Sequence, residues 1–114
     1  MKKLSGCERE VLSVIMDMQQ AIGLREIQEE VNRRFKRTWK PQTASTIIRR
    51  MAEKGYLTPE GRGRGTLYKS TIPPEEYRKQ ELQNVVVLFY SGDVQQARED
   101  LESCVDAAGG KKNE

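Results

Sequence analysis

Apolar residues recur at helical spacing in the segment from Pro41 to Lys54. The spacing of i, i+3, i+4, i+7 and i+8 predicts an amphipathic helix whose buried stripe is Ala44, Ile47, Ile48, Met51 and Ala52. The opposite face carries Gln42, Ser45, Thr46, Arg49 and Glu53, with Thr43 and Arg50 at its flanks. Amide, hydroxyl and guanidinium groups on such a face suit base edges and phosphates in a major groove. The same pattern is also typical of a solvated helix surface.

Two more helices are predicted before this segment. Ser5 and Glu8 form an S-x-x-E capping box that opens the first, and its apolar stripe is Val11, Leu12, Val14, Ile15 and Met18. After a short turn at Gln19 to Gly23, the second helix spans Leu24 to Phe35. Its inward positions are Ile27, Val31 and Phe35. Gly55 is a suitable residue for ending the third helix.

A glycine-rich tip follows, between two segments with strand character. Residues 56–58 and the alternating run 66–72 flank the tip at residues 59–65, which predicts a β-hairpin. The tip carries Arg62 and Arg64, and it is not a phosphate-binding loop because no Gly-Lys-Ser or Gly-Lys-Thr follows its glycines. Three helices and a basic hairpin predict a winged helix-turn-helix, a mainly α fold with a small β-hairpin wing. In that fold the third helix enters the major groove.

The C-terminal part predicts two further helices, separated by a break at residues 91–93. The run from Val85 to Tyr90 is apolar on all sides, which a solitary surface helix does not tolerate. Two short helices make no core of their own, so either a partner subunit or the first domain covers them. We predict a DNA-binding domain at 1–72, a helical dimerisation arm at 73–108 and a disordered tail at 109–114. The predicted dimerisation residues are Val86, Phe89, Tyr90, Val94, Ala97, Leu101 and Val105.

Charge is distributed unevenly along the chain. Residues 33–69 hold 11 Lys and Arg against 2 Asp and Glu, a net charge of +9, whereas residues 73–114 hold 5 against 9, a net charge of −4. A local excess of cations is typical of a polyanion-binding surface. The candidate DNA-binding residues are Lys40, Gln42, Thr43, Ser45, Thr46, Arg49, Arg50, Arg62 and Arg64.

Composition argues against catalysis, metal binding and membrane insertion. The chain has no His, and its two cysteines, Cys7 and Cys104, are far apart and form no CxxC motif. We therefore expect no catalytic residues, no metal site and no cofactor, and free thiols in a reducing cytoplasm. No apolar run has the length of a membrane span, and residues 1–11 lack the apolar core of a signal peptide.

Four stretches in this order and spacing resemble the BlaI/MecI penicillinase-repressor family of bacterial winged-helix regulators. They are Leu4-Ser5 with Glu8, Glu10 and Val11; Trp39 to Thr43; Met51 to Leu57; and Gly65 with Tyr68 through Glu75-Glu76-Tyr77. The resemblance implies homodimeric repressors of palindromic operators, with the C-terminal helices as the dimerisation arm. It also implies that Gln42, Thr43 and Thr46 face bases and that Arg50 faces phosphate or has a structural role.

Family members are induced when a membrane sensor protease cleaves the arm at an Asn-Phe bond, and this chain departs from that pattern. Asn84 is followed by Val85, and no Asn-Phe pair occurs in the sequence. Arg9 also stands where family members often have Trp. The resemblance includes a sensor protease among the partners, whereas the missing bond argues against it here.

We predict a cytoplasmic, homodimeric transcriptional repressor that binds double-stranded operator DNA. The alternative is a winged-helix module that binds a protein and no nucleic acid, because a fold alone does not fix a function. The concentrated positive charge favours DNA. An enzyme is not expected, because no nucleophile, base or metal ligands converge in the sequence.

Overall fold

The computed structural model of the chain describes residues 2–61 and 65–107. Contacts divide the chain into two compact units, Met1–Pro74 and Glu75–Glu114. Within the described residues the order of elements is α1 (Gly6–Met18), β1 (Ile22–Gly23), α2 (Leu24–Phe35), α3 (Pro41–Glu53), β2 (Leu57–Glu60), β3 (Leu67–Ser70), α4 (Pro74–Tyr90) and α5 (Val94–Ala107). The proposed tail at 109–114 lies outside the described residues, as does residue 108.

The core of the first unit is formed by the apolar stripes of α1, α2 and α3 together with the start of the sheet. Its buried side chains are Val11, Leu12, Val14, Ile15, Ile22, Ile27, Val31, Ala44, Ile47, Ile48, Met51, Tyr56 and Leu57. Met18 and Ala52, predicted in these stripes, are only half-buried. The prediction for Phe35 is wrong, because this side chain is 38% exposed. Phe35 is the last residue of α2, and the chain leaves the helix at Lys36 in a left-handed conformation.

The sheet has three antiparallel strands in the order β1-β3-β2. The hairpin is confirmed, but Pro59 and Glu60, predicted in its tip, belong to β2 and pair with Tyr68 and Leu67. Ile22–Gly23 forms the third strand, where the sequence predicted only a turn. The sequence did not predict this strand for two reasons. Its pairing partner Tyr68 lies 46 positions later in β3, and two residues are too few to show the alternating pattern of a strand. This strand attaches the start of α2 to the wing.

Glu8 joins the beginning of α1 to the end of α3. It completes the predicted capping box, since its carboxylate accepts the Ser5 N–H at 2.8 Å while Ser5 Oγ accepts the Glu8 N–H at 3.2 Å. Although only 3% of Glu8 is exposed, its carboxylate also accepts a hydrogen bond from Lys54 Nζ at 2.6 Å. Burial raises the pKa of Glu8, but the hydrogen bonds from Lys54 and Ser5 and the Lys54 charge outweigh it, so the pKa lies below its ordinary value.

The second unit consists of α4 and α5 joined by a tight turn. Ser91 and Gly92 both have positive φ, at 49° and 85°, and Asp93 Oδ1 accepts the Gln96 N–H at 3.0 Å to cap α5. Tyr90 Oη donates to Asp100 Oδ2 at 3.0 Å, which links the two helices, and this contact raises the pKa of Tyr90. In this unit no described residue of α4 is buried.

We expect the Glu8–Lys54 pair to make the stability of the first unit depend on pH. Glu8→Gln keeps a capping acceptor but removes the charge, so it should lower the free energy of unfolding by about 2 kcal/mol at pH 7. Because the folded state lowers the pKa of Glu8, its contribution is present above the ordinary value of 4.5 and is lost as the pH falls through the folded pKa. Urea unfolding of both proteins at pH 7 and near pH 3 measures this.

The matched control is Glu29→Gln, which removes an exposed carboxylate that pairs with Arg25 at 3.6 Å. Its effect at pH 7 should stay below about 0.5 kcal/mol, because exposed ion pairs contribute little. A Glu8→Gln deficit of the same size at both pH values would contradict the prediction.

Candidate nucleic-acid interface

Side chains of α2 hold the peptide that leads into α3. Trp39 donates its backbone N–H to Asn32 Oδ1 at 2.9 Å, and its carbonyl accepts Asn32 Nδ2 at 3.0 Å. Gln28 Nε2 donates to the same carbonyl at 2.9 Å. Gln28 and Asn32 are four residues apart, so they lie on one face of α2. We call Gln28, Asn32 and the Trp39 peptide the turn clamp.

The outer face of α3 is polar and exposed. Its apolar stripe is buried, as predicted, at Ala44, Ile47, Ile48 and Met51. The predicted site residues on this helix and at its N-cap are exposed, except that Thr46 is half-buried; they are Lys40, Gln42, Thr43, Ser45, Thr46, Arg49 and Arg50. Thr46 Oγ1 donates to the Gln42 carbonyl at 3.0 Å, so its hydroxyl keeps lone pairs for a donor outside the helix.

The cations of the basic segment 33–69 fall into two groups. Those paired with acids of the first unit are Arg33 and Arg34 with Glu30, Arg34 with Asp17, Arg37 with Glu10, Lys54 with Glu8 and Lys69 with Glu60. Hydrogen bonds from Arg33 and Arg34 lower the pKa of Glu30, and the hydrogen bond to Glu10 raises that of Arg37. Among the described residues, the segment's cations without an ion pair are Lys36, Lys40, Arg49 and Arg50.

Three of these four unpaired cations belong to α3 or to its N-cap. Lys40 is the N-cap residue, and Arg49 and Arg50 lie in the C-terminal half of the helix. Within the described part of the chain no ion pair neutralises their charge, so it is available to attract an anion from outside the protein. Glu53 also lies on this face, but among the described residues it forms no ion pair with Arg49 or Arg50, and the three cations leave the face with a net positive charge.

Part of the wing lies outside the described residues, so fewer of its surface contacts can be given than for α3. Lys69 Nζ pairs with Glu60 at 2.9 Å across β2 and β3, and the hydroxyls of Thr58 and Thr71 lie 3.0 Å apart. Arg62 and Arg64, predicted to bind DNA from the wing tip, lie outside the described residues. Their role stays a prediction.

A separate apolar groove of about 1050 Å³ lies between α4 and α5. The predicted dimerisation residues that line it are Val86, Tyr90, Val94, Ala97 and Leu101. Phe89 and Val105 are exposed without lining the groove, and Phe89 is 76% exposed. Sequence reasoning missed Leu82 and Val85 on its wall, although their spacing of i, i+3, i+4 with Val86 is a helical signal.

Sequence reasoning also missed the turn clamp, Lys36 and the Glu8–Lys54 pair. The side-chain amides of Gln28 and Asn32, at i and i+4 on α2, are a weak sequence signal because they do not indicate which group they bind. Within residues 2–61 and 65–107, no group of three potential metal ligands occurs, and both cysteines are free. Among these described residues, no helix has the length and apolar character needed to cross a membrane.

The sequence profile of the penicillinase repressor family matches residues 4–102. The chain belongs to this family. It is 30% identical to the penicillinase repressor of Bacillus licheniformis over 90 residues, which are 79% of this chain and 68% of that protein. The predicted family resemblance is therefore confirmed.

Solved structures support the architecture. The solution structure of the DNA-binding domain of the repressor BlaI matches with a TM-score of 0.53 and 32% identity, over 68% of this chain and 94% of that domain. A complex structure of hsRosR matches with a TM-score of 0.63 over 96% of this chain and 95% of that chain, at 15% identity, which is a likeness of fold alone. The predicted winged helix-turn-helix fold is confirmed.

We expect the two groups of cations to differ in their effect on stability. Arg49→Ala and Arg50→Ala should change the free energy of unfolding by less than about 0.5 kcal/mol, because these exposed side chains have no ion pair to lose. Arg34→Ala should lower it by about 1 kcal/mol, because Arg34 binds both Glu30 and Asp17 and its side chain is 25% exposed. Urea unfolding at pH 7 gives all three values. A loss at Arg49 as large as that at Arg34 would show that the α3 cations have structural partners.

Proposed function

We propose that this protein is a transcriptional repressor that binds a palindromic DNA operator as a homodimer. The observation that carries the proposal is the outer face of α3, where exposed amide and hydroxyl groups lie beside the unpaired cations Lys40, Arg49 and Arg50. Membership of the penicillinase repressor family supports a repressor, and the match to the DNA-binding domain of BlaI supports DNA as the ligand. Such a protein acts where the DNA lies, so we propose a cytoplasmic location.

Residues on α3 divide into two proposed roles. Gln42, Thr43 and Thr46 have the short polar groups that read base edges, and Ser45 lies among them. Lys40, Arg49 and Arg50 bind phosphate, with Arg62 and Arg64 of the wing tip as further phosphate contacts. Phosphate contacts set the position and supply most of the affinity, whereas base contacts supply the sequence preference.

The second unit supports the homodimer. Of the large apolar side chains that are exposed among the described residues, most belong to α4 and α5; they are Leu82, Val85, Val87, Leu88, Phe89, Val94, Leu101 and Val105. A monomer rarely exposes so many large apolar side chains within two adjacent helices. A second copy that packs its own α4 and α5 on this surface buries both sets symmetrically.

A two-fold axis between the copies matches the symmetry of a palindrome. It would hold two α3 helices roughly 34 Å apart, one turn of duplex, so that each reads one half-site. Cleavage by a sensor protease is not part of the proposal, because the sequence contains no Asn-Phe bond.

We expect base-facing and phosphate-facing variants to have different effects on DNA binding. The probes are a duplex that the wild-type protein selects from a random pool and a scrambled duplex of the same composition, compared by fluorescence anisotropy at several salt concentrations. Thr43→Val should lower the preference for the selected duplex by about 1–3 kcal/mol. Arg49→Gln should weaken both duplexes alike and reduce the salt slope by about one.

Lys79→Gln is the charge-matched control, because it removes an exposed cation from α4, outside the basic segment. It should leave both the preference and the salt slope unchanged. A wild-type affinity that does not fall between low and moderate salt would refute phosphate binding. A protein that only binds other proteins would show no measurable affinity for either duplex.

We expect the second unit to control the oligomeric state. Leu101→Lys or Phe89→Lys should give monomers in analytical ultracentrifugation, because a charge would be buried on the apolar face. Loss of the second half-site contact should weaken binding to the selected palindrome by about 100-fold. Gln95→Lys introduces the same charge on α5 at an exposed polar position, where no apolar side chain is replaced, and should leave the dimer intact. Monomers that bind the full palindrome as tightly as the wild type would disprove the link between dimerisation and operator affinity.

A further inference from the structure

Asn32 makes hydrogen bonds at both ends of the link between α2 and α3. Its backbone carbonyl accepts the N–H of Lys36 and, at 3.2 Å, that of Arg37, which ends α2. Its side-chain amide binds both the N–H and the carbonyl of Trp39, at 2.9 and 3.0 Å. One residue thus fixes where the chain leaves α2 and where it approaches α3.

The first turn of α3 has little of its own to fix it. Lys40 is the N-cap residue, and its side chain makes no capping hydrogen bond. Pro41 follows at the first helical position and has no N–H to donate. The start of α3 therefore depends on the peptide before it, which the turn clamp holds.

The clamp is attached to a rigid part of the core. Gln28 follows Ile27 and Asn32 follows Val31 along α2. The side chains of Ile27 and Val31 have no exposed surface. Because the buried side chains fix α2, three hydrogen bonds from it fix the Trp39 peptide in turn. Gln42 and Thr43 follow within four residues, in the first turn of α3.

We propose that Asn32, assisted by Gln28, is a positioning residue that sets the base preference of α3 without contacting DNA. The proposal rests on the function proposed above. Base-edge contacts from Gln42 and Thr43 depend on hydrogen-bond geometry, so they are sensitive to movement of the first turn, in which both residues lie. Phosphate contacts from Lys and Arg tolerate such movement better, because their long side chains can adjust and the attraction between charges falls off gradually with distance. Loss of the clamp should therefore reduce sequence preference while it leaves non-specific affinity and the salt slope in place.

The experiment compares the selected and scrambled duplexes for wild type, Asn32→Ala and Gln28→Ala. Asn32→Ala removes two of the three hydrogen bonds and should lower the ratio of the two affinities roughly tenfold, the size of one lost base contact. Gln28→Ala removes one bond and should lower the ratio less, and it provides a second test if Asn32→Ala does not fold. The affinity for scrambled DNA and its salt dependence should remain at wild-type values in both variants.

Two controls separate positioning from loss of stability. Ile15→Val removes a buried methyl group from α1 and should leave the ratio unchanged although it destabilises the fold. Asn84→Ala removes an exposed amide of the same type from α4 and should also leave the ratio unchanged. Trp39 is the only tryptophan in the chain, and the clamp binds its backbone, so its fluorescence reports movement of this peptide. Its emission should change in Asn32→Ala and not in either control.

The outcomes distinguish this proposal from the function on which it rests. A wild-type protein that binds both duplexes equally would overturn the proposed function and the positioning role with it. A wild type with a clear preference that survives in Asn32→Ala would overturn the positioning role alone, whether or not the Trp39 fluorescence changes. A fall in the ratio that Ile15→Val reproduces would show that Asn32 acts only through stability.

Discussion

Burial of one face of α3 is the constraint from which the rest of the structure follows. Ile48 and Met51 are almost fully buried, and each such side chain contributes roughly 1.5–3 kcal/mol when it leaves water. An exposed ion pair contributes about 0–1 kcal/mol, so packing, and not charge, decides the rotation of the helix. With 3.6 residues per turn, burying Ala44, Ile47, Ile48 and Met51 leaves the opposite face exposed. The polar outer face is thus a consequence of the apolar one.

Electrostatics then determines which part of that exposed surface is chemically distinct. Acids on α1 and α2 neutralise Arg33, Arg34 and Arg37, and Glu8 binds Lys54. The Arg33–Glu30 pair lies within α2, whereas the pairs made by Asp17, Glu10 and Glu8 connect α1 with the end of α2 or of α3. All of these pairs reduce the number of cations that could attract a polyanion. Among the described residues of segment 33–69, Lys36, Lys40, Arg49 and Arg50 remain without such partners, and three of these four lie on α3 or at its N-cap. A count along the sequence could not have made this separation, because it does not record which acids lie near which cations.

Features with a local cause were predictable from the sequence, and features with a distant partner were not. The bounds of α2, the capping box at Ser5 and Glu8, and the end of α3 at Gly55 depend on a few adjacent residues, and all three agree with the structure. The strand at Ile22 depends on β3, and the buried Glu8 depends on Lys54, 46 residues away. Phe35 was predicted to be buried because it has the helical spacing of the buried stripe of α2. Periodicity assigns a residue to a face of the helix but does not show where along the helix the core ends.

The candidate site likewise contains residues that the local sequence predicts and residues that depend on a distant partner. The outward residues of α3 follow from periodicity, so Gln42, Thr43 and Arg49 could be named from the sequence. The turn clamp could not, because Asn32 binds backbone atoms of Trp39, and any residue type at position 39 other than proline offers those atoms. Backbone contacts leave no signature in the partner's sequence. Positioning interactions of this kind are therefore visible only when the chain is folded, even where the residues that they position are evident beforehand.

In the proposed repressor, DNA binding by the first unit and association through the second depend on different physical interactions. The first unit has its own buried core and presents charge, whereas α4 has no buried residue and presents apolar surface. Burial of an apolar surface is favourable and does not depend on direction, so a second copy of the same surface is the simplest partner that can cover it. A charged face selects a polyanion, and its strength falls with salt. Because the net charge of residues 73–114 is −4, that region is poorly suited to bind phosphate itself. Salt should therefore weaken DNA binding strongly and affect association through α4 and α5 little.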